Sequence, residues 1–296
     1  MAAARGASLA RRRPGPLFFR PSRPVARPLL KTPSPPQVRR FGPVNWVGLR
    51  TLYLKEVRRF LKVATQTVLA PLVTTLLFLA IFSLALGSAV QMVGGVPFPV
   101  FLAPGLIMMA MVQNAFANTS STLVIAKVQG NIVDLLMPPL TPGELTLGLA
   151  AGGLTRGLTV GSVIWAVFAL LLPIHVHDLF FVLFHAAAAS LMLSLLGVLG
   201  GLWSEKFDHI AAVTNFVITP FAFLSGAFYS TERLAGIWHT LAHLNPFFYM
   251  IDGFRYGFIG HADGSLWVGI LVLTGANAFL YWLTHRLFAI GYKLRP

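Results

Sequence analysis

The sequence predicts an all-α membrane protein: six transmembrane helices, an N-terminal interfacial amphipathic helix, and a re-entrant helical hairpin between the last two spans. Two observations predict this class. The 296 residues are 56% hydrophobic and only 11% charged, whereas an average soluble domain is about 25% charged. Five long runs of the sequence also contain no charged residue, and about 20 apolar residues suffice to cross a bilayer. Cysteine is absent, which excludes a disulfide framework and thiolate metal sites.

The charge-free runs give the number of spans. Residues 63–126 contain no Asp, Glu, Lys or Arg, which leaves room for two spans and a turn, and four shorter runs each fit one span. An outer-membrane barrel would show alternating segments of about ten residues instead. The predicted spans are 65–88, 98–121, 155–174, 179–203, 209–230 and 265–286.

The basic residues predict the orientation. Fifteen of the 23 Lys and Arg residues lie within residues 1–63, and loops rich in Lys and Arg stay in the cytoplasm. Both termini are therefore predicted to be cytoplasmic. A six-span count places further basic residues on the same side (Lys127, Lys206, Arg286, Lys293 and Arg295) and only two opposite (Arg233 and Arg255).

Residues 1–44 form a separate region, rich in Arg and Pro and free of acidic residues. We interpret it as a disordered cytoplasmic tail attracted to anionic membrane lipid. An organellar transit peptide has a similar composition, and that alternative stays open. The remainder, residues 45–296, contains no basic groove, so nucleic acid is not an expected partner.

A first amphipathic segment follows the tail. At 100° per residue one face is apolar (Trp46, Leu49, Tyr53, Leu54, Val57, Phe60 and Leu61) and the other is basic (Lys55, Arg58, Arg59 and Lys62). Such a pattern is typical of a helix lying in the membrane interface. Glu56, Arg58 and Arg59 are predicted to contact a cytoplasmic partner.

A second notable segment lies between the second and third spans. Ile132, Leu135 and Leu136 have helical spacing, and Pro138 and Pro139 must end any helix there, because proline lacks an N–H and clashes with the preceding turn. This pattern predicts a short cytoplasmic helix that ends sharply.

Between the fifth and sixth spans, residues 230–264 are too apolar for an exposed loop. They predict two short helices hinged at Asn245-Pro246, with an Asp252–Arg255 ion pair on the second.

These segments resemble a known family. "QGNIVDLLMPPLTPGEL", "FAFLSGAFYSTERLAGIWHTLAHLNPFFYMIDGFRYGFIG" and "LYLKEVRRFLK" are similar to the permease subunits of ABC-2 type exporters. The likeness covers about residues 45–290. The most specific matches occur in order along the chain: Pro220, Ser225-Gly226, Asn245-Pro246, Tyr249, Asp252 and Arg255.

The resemblance implies a function. It implies a homodimeric, multi-pass permease of the bacterial inner (plasma) membrane that exports an amphipathic, lipid-linked or drug-like substrate. Two copies of a separate ABC ATP-binding subunit would use ATP and Mg²⁺, while this chain would bind no cofactor. The resemblance implies that the ATPase contacts a coupling helix (Gln129, Asn131, Ile132, Asp134, Leu135, Pro138, Pro139 and Glu144) and that an outer gate is re-entrant (Asn245, Pro246, Tyr249, Asp252 and Arg255). Asp134→Arg or Leu135→Asp is then expected to uncouple transport at little cost to folding.

Other functions are disfavoured by the residues themselves. A P-loop needs G-x-x-x-x-G-K-[ST], and none of the six lysines follows a glycine. A gradient-driven transporter usually carries ionisable groups at mid-membrane, where this sequence offers only His185. A zinc site at His239 and His243 lacks the glutamate of H-E-x-x-H. A membrane-embedded serine hydrolase at Ser225-Gly226 would need a G-x-S-G arrangement, which fails at Phe223. The glycines of "GLAAGGLTRG" and "GVLGG" are predicted to be helix-contact surfaces.

Overall fold

The computed structural model describes residues 42–86, 91–231, 234 and 236–294. The predicted tail lies almost entirely outside these residues, as do Arg233 and Arg295. Two π-helical segments, Thr65–Leu69 and Thr214–Ile218, interrupt the described helices. In chain order the elements are α1 (Trp46–Leu61), α2 (Ala70–Leu86), β1 (Met92–Val93), β2 (Val96–Pro97), α3 (Phe98–Val128), α4 (Ile132–Leu136), α5 (Pro142–Leu171), α6 (Leu179–Trp203), α7 (Phe207–Val213), α8 (Thr219–Leu224), α9 (Ile237–Leu244), α10 (Pro246–Ile259) and α11 (Leu266–Ala289).

The described residues contain six helices that are long and apolar enough to cross a membrane. The predicted number of spans is confirmed. Five of the six begin within two residues of the predicted positions. They run over Thr65–Ala85, Phe98–Val128, Pro142–Leu171, Leu179–Trp203, Phe207–Leu224 and Leu266–Ala289.

The third span corrects the prediction. Its helix, α5, begins at Pro142 rather than near residue 155. Thr141 and Glu144 form a capping box at this end, and Pro142 occupies the first helical position. A capping box satisfies two backbone N–H groups that have no partner within the helix, so the helix starts about three and a half turns earlier than the apolar run alone indicates.

Helix α3 lies at the centre of the bundle. It is buried along most of its length and packs mainly against α6 and α5, with α2 and α10 on its other sides. Close packing depends on small residues: a Cβ at Gly197 would lie 2.2 Å from Thr119 Oγ1 and 2.5 Å from Phe116 O. Thr119 Oγ1 also donates to Ser194 O of α6 at 2.7 Å. The prediction that these glycines are helix-contact surfaces is confirmed.

The connections lie at two ends of the bundle, named here the α4 end and the α9 end. The α4 end carries α1, α4, the α6–α7 connection and the end of α11. Lys127 Nζ, near the end of α3, donates there to Leu202 O and Ser204 O of the α6–α7 connection. The α9 end carries the β1–β2 hairpin, the α5–α6 connection, α9 and α10. There, His177 N and Asp178 N both donate to Gly257 O at 2.9 Å.

Candidate coupling surface

Helix α4 has one buried and one exposed side. Ile132 and Leu135 point into the protein and are buried. Val133 and Met137 point outward, with 53% and 74% of their surfaces exposed, and Asp134 is exposed beside them. A short helix that is anchored on one side and presents apolar side chains on the other is suited to contact a partner protein.

The buried side of α4 belongs to a small apolar cluster, named here the α4-end cluster. The cluster joins α1, α3, α4, α5, α6, the end of α11 and the segment after it, so a displacement of α4 acts on all of them. Its members are Leu52, Leu123, Ile132, Leu135, Leu145, Leu149, Val198, Leu202, Phe288 and Leu294.

The segment after α4 is held between the first turns of α1 and α5. Asn45 caps α1 by accepting from Gly48 N at 3.0 Å, and its Nδ2 donates to Pro139 O at 3.1 Å. Asn45 N donates to Glu144 Oε1 at 2.5 Å, while Glu144 Oε2 accepts from Thr141 N at 2.7 Å. Glu144 is therefore buried in contacts within the chain, and its carboxylate is not exposed for the partner contact that the sequence predicted.

Helix α1 packs on the protein through a side that includes only Phe60 of the predicted apolar face. The buried residues are Leu52, Glu56 and Phe60, whereas Trp46 and Leu61 of the predicted apolar face are 71% and 51% exposed. The prediction considered only the contrast between apolar and basic positions. It could not take account of the protein surface that α5 offers to α1.

Glycines in α5 create that surface. A Cβ at Gly148 would lie 2.6 Å from Leu52 Cδ2, and a Cβ at Gly152 would lie 2.5 Å from Glu56 Cβ. The absence of side chains at these two positions lets α1 lie directly on the backbone of α5. The side chain of Glu56 is consequently directed into the bundle towards α3.

Glu56 forms a polar network with α3. Its Oε2 accepts from Arg59 Nη2 at 3.0 Å, from Thr122 Oγ1 at 2.7 Å and from Asn118 Nδ2 at 3.5 Å. Arg59 also donates to Asn118 Oδ1 at 3.0 Å and to Ser121 Oγ at 3.2 Å. Because Glu56 is 0% exposed, it cannot contact a partner as predicted; it connects α1 to the central helix.

The remaining coupling positions divide by exposure. Gln129, Asn131, Asp134, Pro138 and Pro139 are exposed and free to contact a partner. Leu135 is buried in the α4-end cluster, so Leu135→Asp would place a carboxylate among apolar side chains. The expectation that this variant folds at little cost is wrong, since burial of an unpaired charge is strongly unfavourable.

At the α9 end, Asn245 joins α10 to α8. Its Oδ1 accepts from Phe247 N at 3.0 Å, and its Nδ2 donates to Phe221 O at 2.7 Å. Pro246 follows as the first residue of α10. The backbone N–H at this position has no acceptor within any helix, so proline costs no hydrogen bond there. Tyr249 is half-buried against Gly269 of α11. These contacts attach α10 to α8 and α11.

Asp252 and Arg255 do not form the predicted ion pair, because each has another partner. Asp252 Oδ1 accepts from Asp263 N at 2.7 Å, and its Oδ2 accepts from the next backbone N–H at 3.0 Å. Arg255 Nη2 donates to Gly226 O at 2.6 Å, and its guanidinium lies 4.0 Å from the centre of the Phe101 ring. The two side chains thus hold separate loops against α10.

Asp263 gathers several further contacts at the same end. Its Oδ2 accepts from Ser230 Oγ at 2.9 Å and from Thr231 N at 2.6 Å. Burial disfavours the charged carboxylate, but the hydrogen bonds from Ser230 and Thr231 and the positive charge of Arg255 outweigh burial and lower the pKa of Asp263. The carboxylate therefore stays charged and joins the connection after α8 to the connection before α11.

The groups proposed for other chemistry do not converge. The rings of His239 and His243 lie 4.2 Å apart, and no cluster of three or more His, Asp or Glu residues is found in the part of the chain that the structure describes. Ser225 Oγ donates to Ala222 O within its own turn.

Sequence reasoning missed a line of polar residues along α3. Asn114, Asn118 and Thr122 are four residues apart, so they share one face of the helix. Arg156 Nη2 donates to Asn114 Oδ1 at 3.0 Å, while Asn118 and Thr122 hold the Glu56–Arg59 pair. The four-residue spacing within an apolar span was the available signal. Asn45 was also missed, although Asn immediately before an amphipathic helix is a typical N-cap.

Comparison with known proteins identifies the family. The family model described as "ABC-2 type transporter" matches residues 48–259, a range that runs from α1 to the end of α10. The chain belongs to the ABC-2 type transporter family. The resemblance found in the sequence is thereby confirmed.

Relatives within the ABC-2 type family are named as permeases or nodulation proteins. The chain is 38% identical over 250 residues to the inner membrane transport permease YadH of Escherichia coli K12, a match that covers 84% of this chain and 98% of YadH. It is 27% identical over 235 residues to nodulation protein J of Neorhizobium galegae, covering 78% and 88% of the two chains. Family membership and six apolar helices make this chain a multi-pass transport permease.

Proposed function

We propose that the chain is the membrane subunit of an ATP-driven exporter located in an inner membrane, and that a separate ABC ATPase docks on α4. The observation that carries the proposal is the two-sided character of α4. Its inner side is fixed in the α4-end cluster, while Val133, Leu136 and Met137 are exposed. ATP and Mg²⁺ are used by the partner, since the sequence has no P-loop lysine.

The distribution of charge supports a cytoplasmic α4 end. Lys127, Lys206 and Lys293 all lie at this end, and so does the basic side of α1. The positive-inside rule then places both termini in the cytoplasm. In this orientation α1 lies at the inner membrane interface, and α9 and α10 form a re-entrant hairpin at the outer face.

The least covered spans support a homodimer. The first and fifth spans are the two most exposed of the six. Their exposed sides carry amides, Gln66 in the first span and Asn215 in the fifth. Since polar groups facing lipid are unfavourable, a second copy and a transport path between the copies would cover them. Two ATPase subunits would then bind beneath, and an amphipathic, lipid-linked or drug-like substrate would move outward.

A charge placed on the exposed side of α4 tests the proposal. Met137→Asp and Asp134→Arg should fold normally, because both positions are exposed. An unpaired charge within a protein contact costs about 2 kcal/mol or more, so retention of the ABC ATPase during affinity purification should fall by about tenfold or more. ATP-driven export into inverted vesicles should fall with it.

Met92→Asp is the matched control, because Met92 is an exposed methionine (56%) at the opposite end of the bundle. It should retain the ATPase fully. Normal retention of the ATPase and normal export by both α4 variants would refute the docking role of α4.

A further inference from the structure

A polar groove runs along the bundle between the first span and α3. It has a volume of about 680 Å³, within the range of small-molecule sites. Several uncharged polar side chains and one arginine line it, which is unusual for a surface at membrane depth. The main polar residues are Gln66, Thr74, Gln113, Asn114, Ser121 and Arg156.

The groove is amphipathic along its length. The polar part extends from Asn114, at the middle of α3, to Ser121 towards the α4 end, whereas Leu106, Phe78 and Phe228 form the part nearer the α9 end. Leu106 and Ser121 are 15 residues apart on α3, which corresponds to about 22 Å at 1.5 Å per residue. The shape and polarity thus suit a molecule with a polar head at one end and a hydrocarbon tail at the other.

Arg156 supplies the charge at the middle of the groove, beside Asn114. Its Nη2 donates to Asn114 Oδ1, and its Nε is buried without a hydrogen-bond partner. In the part of the chain that the structure describes, no carboxylate forms a salt bridge with Arg156. Arg59, which is held one turn away on α3 by Asn118, is instead neutralised by Glu56. Arg156 therefore presents an uncompensated positive charge to the groove.

We infer that this groove binds an anionic amphiphile, with its phosphate or carboxylate head on Arg156 and its tail against the apolar part. The planar guanidinium of arginine can pair with either a phosphate or a carboxylate through two parallel hydrogen bonds. The inference rests on the proposed transport function and names the chemical class of its substrate. The bond from Asn114 holds Nη2 and so orients the guanidinium of Arg156, which lines the groove.

A binding titration tests this inference without the ATPase. The full-length chain in phosphatidylcholine nanodiscs is titrated with dodecyl phosphate, and 1-O-dodecylglycerol serves as the probe with an uncharged head. The wild type should bind dodecyl phosphate at least about tenfold more tightly than the uncharged probe, since a charge-assisted bidentate pair is lost with the latter. Inorganic phosphate at equal concentration should not compete.

Variants assign the binding to the groove. Arg156→Gln should weaken dodecyl phosphate binding about tenfold, and Arg156→Lys should weaken it less, because lysine keeps the charge but loses the planar geometry. Arg50→Gln, which removes an exposed cation on α1, is the matched control and should bind normally. Gel filtration and thermal melting verify that each variant is folded.

A second pair of variants does not alter the charge. Thr74 is exposed in the groove wall, so Thr74→Leu should hinder binding sterically, whereas Val73→Leu on the neighbouring exposed position should not. Equal binding of both probes, full competition by inorganic phosphate, or unchanged binding in Arg156→Gln and Thr74→Leu would each overturn the inference. Binding that depends on Arg156, combined with an absence of ATP-driven export, would instead refute the proposed function alone.

Discussion

Replacement of Glu56 by Gln is the sharpest test of how α1 is joined to the bundle. The substitution keeps the size and shape of the side chain and removes its negative charge. Glu56 is completely buried, and one of its oxygens accepts hydrogen bonds from Arg59, Thr122 and Asn118. The variant therefore changes the strength of a network while it leaves the packing of α1 on Gly152 intact.

The expected magnitude follows from the individual bonds. Hydrogen bonds to a charged group contribute about 1.5–3 kcal/mol, and neutral bonds about 0.5–1.5 kcal/mol. Loss of charge thus weakens the bonds from Arg59 and Thr122 by about 1 kcal/mol each. Arg59 is 30% exposed and recovers part of this by binding water. We expect a net loss of roughly 1.5–2 kcal/mol, which is below the about 3–5 kcal/mol typical of breaking a fully buried ion pair.

A melting experiment measures this loss. For a protein of this size about 2 kcal/mol corresponds to a fall of roughly 4–8 °C in Tm. Glu205→Gln is the matched control, because Glu205 pairs with Lys293 at the same 3.0 Å distance but is 66% exposed. Lys293 lowers the pKa of Glu205 by its hydrogen bond and its charge, yet exposed pairs of this kind contribute little to stability. The control should melt at the wild-type temperature.

The double variant Glu56→Gln/Arg59→Gln separates the network from other effects. If the two side chains act together, the combined loss should be smaller than the sum of the single losses by about 1 kcal/mol or more. Strict additivity, or an equal fall in Tm for Glu56→Gln and Glu205→Gln, would refute the conclusion that a buried ion pair attaches α1 to α3.

Two further predictions concern packing and topology. Gly197→Ala should destabilise the protein by about 1–3 kcal/mol, because its Cβ would overlap the backbone of α3. Gly275 has open space around it, so Gly275→Ala should instead raise stability by up to about 1 kcal/mol. Equal melting temperatures of the two variants would contradict the packing of α3 on α6. Because the chain has no cysteine, Met92→Cys should react with an impermeant thiol reagent from outside the cell and Asp134→Cys only after permeabilisation, in the full chain and after removal of residues 1–40. A reversed labelling pattern in the shortened chain would show that the tail determines orientation.

The sequence predicted the spans because their signal is physical and local. A run of about 20 uncharged residues has few alternatives to a transmembrane helix. The start of α5 was missed because the apolar run was given more weight than the capping box of Thr141 and Glu144. Short capping signals within a polar connection are easily overlooked when hydropathy is the main criterion.

The site was harder to predict than the fold, because burial depends on which helix lies beside which. On the sequence alone Glu56 belongs to a basic, solvent-exposed face of α1. It becomes buried only because Gly152 of α5 admits the backbone of α1 and because Asn118 and Thr122 of α3 offer hydrogen bonds. Glu56 and Asn118 are 62 positions apart in the chain, and Glu56 and Gly152 are 96 positions apart. A single sequence shows no periodicity that would reveal such distant pairings.

The geometry also indicates the route by which a movement of α4 would reach the membrane. The backbone link from α3 to α4 passes through Gly130, a residue with φ of 72° and open space around it, while side chains of α3 and α4 also meet in the α4-end cluster. A second route, which includes hydrogen bonds, runs through α1. The segment after α4 is bonded to Asn45 at the start of α1, and Leu52 shares the α4-end cluster with Leu135. Glu56 then joins α1 to α3, four residues from the Asn114 that orients Arg156. Under the proposed function, α1 therefore acts as the lever between the ATPase and the groove.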